Sequence, residues 1–354
     1  MPPSHVAVLL MAYGSPHRLE EVEAYYTDIR GGRVPSPEAV EELTGRYRQV
    51  GVPTPLLAVS IDLGRQLERS LNADSPDGSI YTVHLGMKHW TPRIGSAVDE
   101  AVDAGADRLI AIVLAPHYSR IGTGGYRRQV EAALASVAAR PHRNGSAAPV
   151  GLDFVDNWHE LDGYLQSVAD DVRAVRARFT EPKRVVVVFT AHSLPARILD
   201  EGDPYQDQLL RTSELVAARA GVDQWRFSYQ SQSHTGEPWL GPDLGTTLET
   251  LAHEGHRCVL VASIGFIADH LEIFYDIDIE AKAKADTLGI ELKRTPMLNA
   301  DPRLVHALYE LVAQRSPHLP SPNVSNARLA LKRRSRGPTG PASGGGKRHK
   351  MAGS

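Results

Sequence analysis

The stretch at 268–280, ADHLEIFYDIDIE, places carboxylates at Asp269, Glu272, Asp276 and Glu280. On a helix advancing about 100° per residue they fall within an arc of roughly 80°. Leu271, Ile273, Phe274, Tyr275, Ile277 and Ile279 flank that row on both sides. A helix that is apolar nearly all round is normally buried. Carboxylates taken out of water cost free energy unless cations or hydrogen-bond donors meet them. The row therefore reads either as a solvated acidic face or as a path lined for cations. The ring of large apolar residues leaves little room for a solvent face.

A second set of reactive residues stands where apolar runs end. It comprises Tyr13, Lys88, His89, His117, Tyr118, His192, Gln230 and His234. In open parallel sheets, ligands bind at the carboxyl ends of the strands, and this set is rich in metal-preferring and proton-transferring groups. His192 follows four valines and Phe189, which fixes it at a strand terminus. Paired with a carboxylate from a later strand end, such as Glu272, it becomes a candidate ligand or proton acceptor. One imidazole and one carboxylate suit transient Fe²⁺ or Zn²⁺ and are too sparse for storage. Tyr13 is either a turn aromatic or a phenolate ligand to an iron(III) or haem-like centre. Of Arg30, Arg33 and Arg46 at least one is solvated, but a guanidinium beside a cleft recognises carboxylates through its planar fork.

The elements that must position these groups are legible as strand-like runs. They lie at 6–12, 79–85, 108–114 and 149–155, and again at 184–190, 225–229, 257–263 and 290–294. Helical periodicity fills the intervals at 19–29, 38–50, 61–71, 94–104, 161–179, 208–220, 243–254 and 302–314, and the Gly-rich 122–126 opens another helix. Strands alternating with helices give parallel sheets with right-handed crossovers. LMAYGSP at 10–16 and FTAHSLP at 189–195 mark a faint internal duplication. The fold class is α/β, with two doubly wound domains facing each other. There is no G-x-G-x-x-G after the first strand, no P-loop and no G-x-S-x-G elbow, so nucleotide binding is disfavoured.

With 354 residues, 42% hydrophobic and 23% charged, the chain has the composition of an ordinary globular protein of two domains. No apolar run approaches the roughly 18 to 20 residues of a membrane span, and the N-terminus reads as a first strand and not as a signal peptide. Cys258 is the single cysteine, which excludes an internal disulfide and a cysteine-held cluster. Residues 321–354 carry eight Lys/Arg and no Asp/Glu; removing them from the net charge of −3 leaves −11 on the rest. That Pro-, Gly- and Ser-rich tail is expected to be disordered, either native or an expression remnant.

Seven motifs in order, MAYGSP (11–16), GMKHWTP (86–92), VLAPHYS (113–119), TAHSLP (190–195), DPY (203–205), PWLGP (238–242) and GFIADHLEIFYD (265–276), resemble those of the ferrochelatases. The similarity covers about 6 to 315. It implies two Rossmann-like domains, 1–165 joined by a closing helix at 301–316 and then 166–300, with a porphyrin in the cleft between them. By the same resemblance His192 and Glu272 bind iron and transfer protons, and Asp276 and Glu280 extend the acidic line outward as further metal positions. Tyr13 is similar to the axial iron ligand of the monofunctional branch acting on coproporphyrin III. Arg30, Arg46, Tyr47, Thr54 and Tyr126 match positions contacting the macrocycle or its carboxylates. Gly31 stands where some members have a basic residue, and Thr54 where others have Ser.

The implied reaction is insertion of Fe²⁺, a substrate, with no permanent cofactor and no [2Fe–2S] cluster. Whether Mg²⁺ sits at Asp276 and Glu280 stays open. The implied protein is a cytoplasmic monomer that binds no nucleic acid and makes transient contact with neighbouring haem-pathway enzymes. A chelatase for protoporphyrin IX or another tetrapyrrole, and a non-catalytic haem carrier, are the rival readings. Neutral His192 is expected beside ionised Glu272. Asp269 is expected to cap the helix start, and Asp278, on the opposite face, to be dispensable.

Overall fold

The computed structural model describes residues 4–73, 75–140, 150–232 and 236–320. His234 and the tail at 321–354 lie outside the described residues. β1 (His5–Ala12), β2 (Ile80–Met87), β3 (Arg108–Val113) and β4 (Gly151–Val155) form one parallel sheet in the order β2-β1-β3-β4. β5 (Val186–His192), β6 (Trp225–Gln230), β7 (Cys258–Ser263) and β8 (Glu291–Arg294) form a second in the order β6-β5-β7-β8. The two orders are the same topology twice, with Tyr13 and His192 at matching strand ends.

Unbroken apolar runs make the central strands because each is covered on both faces. Along β1, Val8 and Leu10 enter one core while Ala7, Leu9 and Met11 enter another. The covering helices are α1 (Val22–Ile29), α2 (Pro37–Val50), α3 (Leu56–Ala73), α4 (Ile94–Asp103), α5 (Thr123–Ala138), α6 (Asp162–Arg176), α7 (Tyr205–Ala220), α8 (Leu244–His253), α9 (Lys282–Thr287) and α10 (Pro302–Ala313). α10 returns to pack on α3 and α6. α6 runs unbroken through 165 and 166, so the domain boundary expected there falls inside a helix.

One core cluster runs from Val8 and Leu10 through Tyr164 and Leu308 to Val187 and Leu260, so the two sheets share it. Polar clamps join them as well. The Asp203 carboxylate accepts from Ser119 Oγ at 3.2 Å and from the Arg120 amide at 2.7 Å. Gln208 accepts from the Tyr118 amide at 2.7 Å, and the Tyr164 hydroxyl donates to the Ile264 carbonyl at 2.6 Å. The frame that holds the site is thus braced from both sides.

The acidic stretch departs from the expected α-helix. A helix starts at Leu271, and Ile273–Ala281 is a π-helix leading into α9. Its i→i+5 hydrogen bonds make a wider turn. On an α-helix, residues four apart drift by about 40° per step; the wider turn reduces that drift. Glu272, Asp276 and Glu280 therefore run nearly parallel to the axis. So do Ile273, Ile277, Ala281 and Ala285, each at most 4% exposed and packed towards Val186, Val188 and Leu248.

Candidate active site

In both sheets the strand order reverses beside the first strand, between β1 and β3 and between β5 and β7. Crevices form at such reversals. His192 is the last residue of β5, and the loop after β7 brings Glu272 back to it. Gly265 makes that return feasible. Its amide donates to the Thr190 carbonyl at 3.2 Å, and a Cβ on it would stand 2.6 Å from Ala191 Cβ and 2.9 Å from Ala191 Cα. Beneath the crevice, the Thr190 hydroxyl donates to Gln230 Oε1 at 2.8 Å and lies 2.8 Å from Ser263 Oγ. Gln230 is therefore support under the site and does not line it.

His192 Nε2 stands 3.5 Å from Glu272 Oε1, with the side chains 31% and 28% exposed. The other ring nitrogen of His192, Nδ1, is bonded to the Ser193 carbonyl, which can only accept. Nδ1 therefore carries hydrogen, and a neutral ring would aim a lone pair at the carboxylate. Protonation of Nε2 removes that conflict. Burial opposes the charge, but Glu272 outweighs it and pushes His192 up to about 9. Burial likewise opposes ionisation of Glu272, and His192, then His270, hold it well below the usual carboxylate range. Without a cation at hand the Glu272 charge favours an imidazolium at His192, and the neutral His192 expected of a ligand imidazole belongs to the metal-bound state.

The second oxygen of Glu272 lies 3.6 Å from His270 Nε2, and His270 Nδ1 donates to the Ala268 carbonyl at 2.8 Å. His192, Glu272 and His270 thus form a line. Among the described residues no three His, Cys, Asp or Glu side chains converge as a metal site. Asp276 follows on the π-helix, accepting from the Ser231 hydroxyl. Burial and then Glu272 push Asp276 up to about 7, with Ser231 and Arg46 offsetting part of the rise. Glu280, the outer member, is exposed. Buried to exposed, the row graduates towards solvent.

Asp269 and Asp278 belong to structure in a different way from that expected. Asp269 makes no cap; its amide donates to Asn299 Oδ1 at 2.8 Å and its carboxylate accepts from Asn299 Nδ2 at 2.8 Å. Asp278 is gripped by Arg294 at 2.7 and 2.9 Å, and Arg294 also lies 3.3 Å from Asp269. Asp278 thus has a partner in Arg294, on the face away from the acidic row.

The first sheet supplies the opposite wall. The Tyr13 ring packs 4.6 Å from His89, whose Nδ1 is bonded to Asp28 at 2.9 Å. Tyr13 is 42% exposed, and the partial enclosure around it, followed by the Glu272 charge, pushes its phenol up. Lys88 Nζ stands 5.9 Å from the Tyr13 ring centre and 4.9 Å from that of Tyr126. Arg46 stacks 4.9 Å over Tyr275 of the π-helix while bonded to Glu42 at 2.8 Å. Leu271 packs on the Tyr25–Tyr47 cluster. Exposed Arg30 lies 5.7 Å over Tyr26.

Tyr47 and Thr54 are only 2% and 4% exposed. Thr54 donates to Ser15 Oγ at 3.0 Å, and Ser15 donates to the Tyr47 hydroxyl at 3.5 Å. They brace the turn that presents Tyr13, with their hydroxyls inside that chain. His117 is buried against Thr212 at 2.9 Å and serves the joint between the sheets. One residue of the site carried no role in the sequence reading: His270, whose signal is that it stands two residues before Glu272 in DHLE.

A family model described as ferrochelatase matches residues 5–316. A ferrochelatase of Herpetosiphon aurantiacus is 45% identical over 86% of this chain and 97% of its own. A coproporphyrin III ferrochelatase of Oceanobacillus iheyensis is 36% identical over 88% and 97%. The solved structure of SirB from Bacillus subtilis with Fe³⁺ superposes with a TM-score of 0.50 at 12% identity, over 88% of this chain and 96% of that one, a likeness of fold. A chain whose matching strand ends carry Tyr13 and the His192–Glu272 pair, and whose similarity spans both sheets, belongs to the ferrochelatase family, which inserts iron into porphyrins.

Proposed function

We propose that this ferrochelatase acts on coproporphyrin III, giving Fe-coproporphyrin III (coprohaem) in the cytoplasm. The observation that carries the reading is Tyr13, an exposed phenol at the strand end that matches His192. Arg30 supports it, because among the described residues no carboxylate pairs with it; a four-carboxylate substrate needs such cations. The relatives named as coproporphyrin III ferrochelatases, 36% to 37% identical, favour the same substrate. No helix among the described residues is long and apolar enough to cross a membrane.

Insertion exchanges two pyrrole protons for one Fe²⁺. In this reading iron enters past Glu280 and Asp276 and reaches Glu272. A divalent cation beside Glu272 cancels the charge that keeps His192 protonated, and the Nε2 proton leaves to water. The imidazole nitrogen is then free, as a ligand or proton acceptor must be. His270, on the far oxygen of Glu272, holds that carboxylate in place while the exchange occurs. Asp276 and Glu280 also suit a hydrated Mg²⁺, which binds through one or two carboxylates and keeps its waters. The test is anaerobic Fe²⁺ insertion into coproporphyrin III and protoporphyrin IX in parallel. Coproporphyrin III is expected to react with the higher kcat/KM; the reverse order overturns the substrate assignment and leaves the family unchanged.

A further inference from the structure

The peptide joining His192 to Ser193 is held at both of its polar ends. The Ser193 amide donates to the Gln230 carbonyl at 2.8 Å, which continues the pairing of β5 with β6. The His192 carbonyl accepts from the Tyr205 hydroxyl at 3.0 Å, and Tyr205 belongs to α7 and not to the sheet. Ser193 is fixed further, its hydroxyl donating to the Leu240 carbonyl at 2.8 Å. Its own carbonyl takes the Nδ1 hydrogen of His192. The orientation of the 192–193 peptide therefore decides where the imidazole points.

Tyr205 is aimed from the other sheet. It is the first residue of α7, and helical side chains lean back towards the helix start, here towards the end of β5. Its amide donates to Asp203 Oδ1 at 3.0 Å. Asp203 Oδ2 is the oxygen that accepts from Ser119 Oγ and from the Arg120 amide, both in the loop after β3. His117, from the same loop, sets its ring perpendicular to that of Tyr205 at 6.5 Å. Asp203 and Tyr205 are only 6% and 8% exposed, so water does not compete for these bonds. One path of hydrogen bonds thus runs from Arg120 through Asp203 and Tyr205 to His192. It starts on the sheet that carries Tyr13 and ends on the imidazole's own backbone.

We infer that Tyr205 is a positioning residue for metal insertion, its hydroxyl setting the His192 ring against the porphyrin in a register dictated by the first sheet through Asp203. This rests on the role given to His192 above and is indifferent to which porphyrin is bound. It gives the DPY motif a part in the reaction. Tyr205 touches neither metal nor macrocycle in this scheme, so it acts on turnover and not on binding.

The measurement is anaerobic single-turnover Fe²⁺ insertion by the full chain, with whichever of coproporphyrin III and protoporphyrin IX the native enzyme takes faster. Tyr205→Phe removes one oxygen and keeps the ring. It should slow insertion roughly tenfold, the scale of one neutral hydrogen bond, while porphyrin affinity stays within about twofold. Asp203→Asn should also slow insertion, but should add no further loss to Tyr205→Phe, because it acts through the hydroxyl. Tyr81→Phe is the control for a merely structural loss, since the Tyr81 hydroxyl bonds Ser316 at 2.5 Å where β2 begins, at the opposite end of the strands. It should insert at the native rate. Spectra of ¹⁵N-labelled histidine at one fixed pH give a second readout: the Nδ1 hydrogen of His192 should exchange slowly with solvent in the native protein and rapidly in Tyr205→Phe. A native insertion rate in Tyr205→Phe, or an equal loss in Tyr81→Phe, overturns the inference. His192→Ala separates the two claims. Near-native insertion there removes the role of His192 itself, whereas an inactive His192→Ala beside a fully active Tyr205→Phe removes the positioning role alone.

Discussion

Replacing Glu272 by Gln keeps the shape of the pair and removes its negative charge. The consequence for His192 follows from opposing effects at one ring. Burial alone would hold the imidazole below its ordinary value of 6.5, yet Glu272 and its neighbours bring it to about 9. That gap corresponds to about 3 kcal/mol, and the attraction from Glu272 must exceed it to overcome burial as well. In Glu272→Gln the His192 ring should therefore titrate at or below 6.5. The folded value of His192 is raised, so its contribution to stability is full below 6.5 and is lost as pH rises through 9. Glu272 is lowered, so its contribution is present above its unfolded value of 4.5 and is lost as pH falls. The native protein should exceed the variant in stability most between about 4.5 and 6.5, with the excess shrinking as pH rises through 9. Side-chain NMR titration of labelled histidine measures the first effect, and denaturant melts across pH the second. A His192 ring still titrating above 8 in Glu272→Gln would falsify the ion-pair assignment.

Four further outcomes follow from the same geometry. His192→Ala should bind porphyrin but lose at least about a hundredfold in insertion rate, the usual range for a lost proton acceptor; near-native single-turnover rates sink the role. Asp276→Asn should raise the KM for Fe²⁺ about tenfold by weakening the focusing field and leave the porphyrin KM alone. In the native enzyme that iron KM should fall as pH rises through about 7, where Asp276 ionises, and the variant should show no such slope. Gly265→Ala should cost about 1–3 kcal/mol by overpacking against Ala191, visible in a urea melt; an unchanged midpoint contradicts the close approach. Arg294→Ala should destabilise by about 2 kcal/mol because it strands the poorly exposed Asp269 carboxylate, whereas Asp278→Ala, at an exposed end of the same pair, should cost no more than about 1 kcal/mol.

The frame was legible because its signals are local. Continuous runs such as VVVVF and RLIAIV can only be strands covered on both faces, and His192 inherits its position from the run before it. The Tyr13–His192 correspondence came through a handful of letters and is matched by the repeated strand order. The missed parts depend on what happens across the sheets. Thr54 matches a substrate contact by resemblance, and only the fold shows that its hydroxyl donates to Ser15 in the turn below Tyr13. The protonation of His192 depends on which ring nitrogen the Ser193 carbonyl occupies, a detail invisible in a string of residues. Asp278 lies opposite the acidic row, yet β8 supplies Arg294 to meet it. The wide helix did leave a trace, since Ile273, Ile277, Ala281 and Ala285 recur every four residues and not every 3.6.

That recurrence makes the π-helix a built-in exchange of durability for reactivity. Such turns are rare and tend to occur as local insertions at functional positions. Removing one residue from 273–281 would let the segment relax into the commoner α-helix. The apolar row would then have to choose between its pocket against Val186 and Val188 and a regular backbone. If the backbone wins, Asp276 and Glu280 rotate away from Glu272 while the protein gains stability. Shortened chains of this kind should then be sturdier and inert, and selection for thermal resistance alone would push this enzyme towards losing its activity.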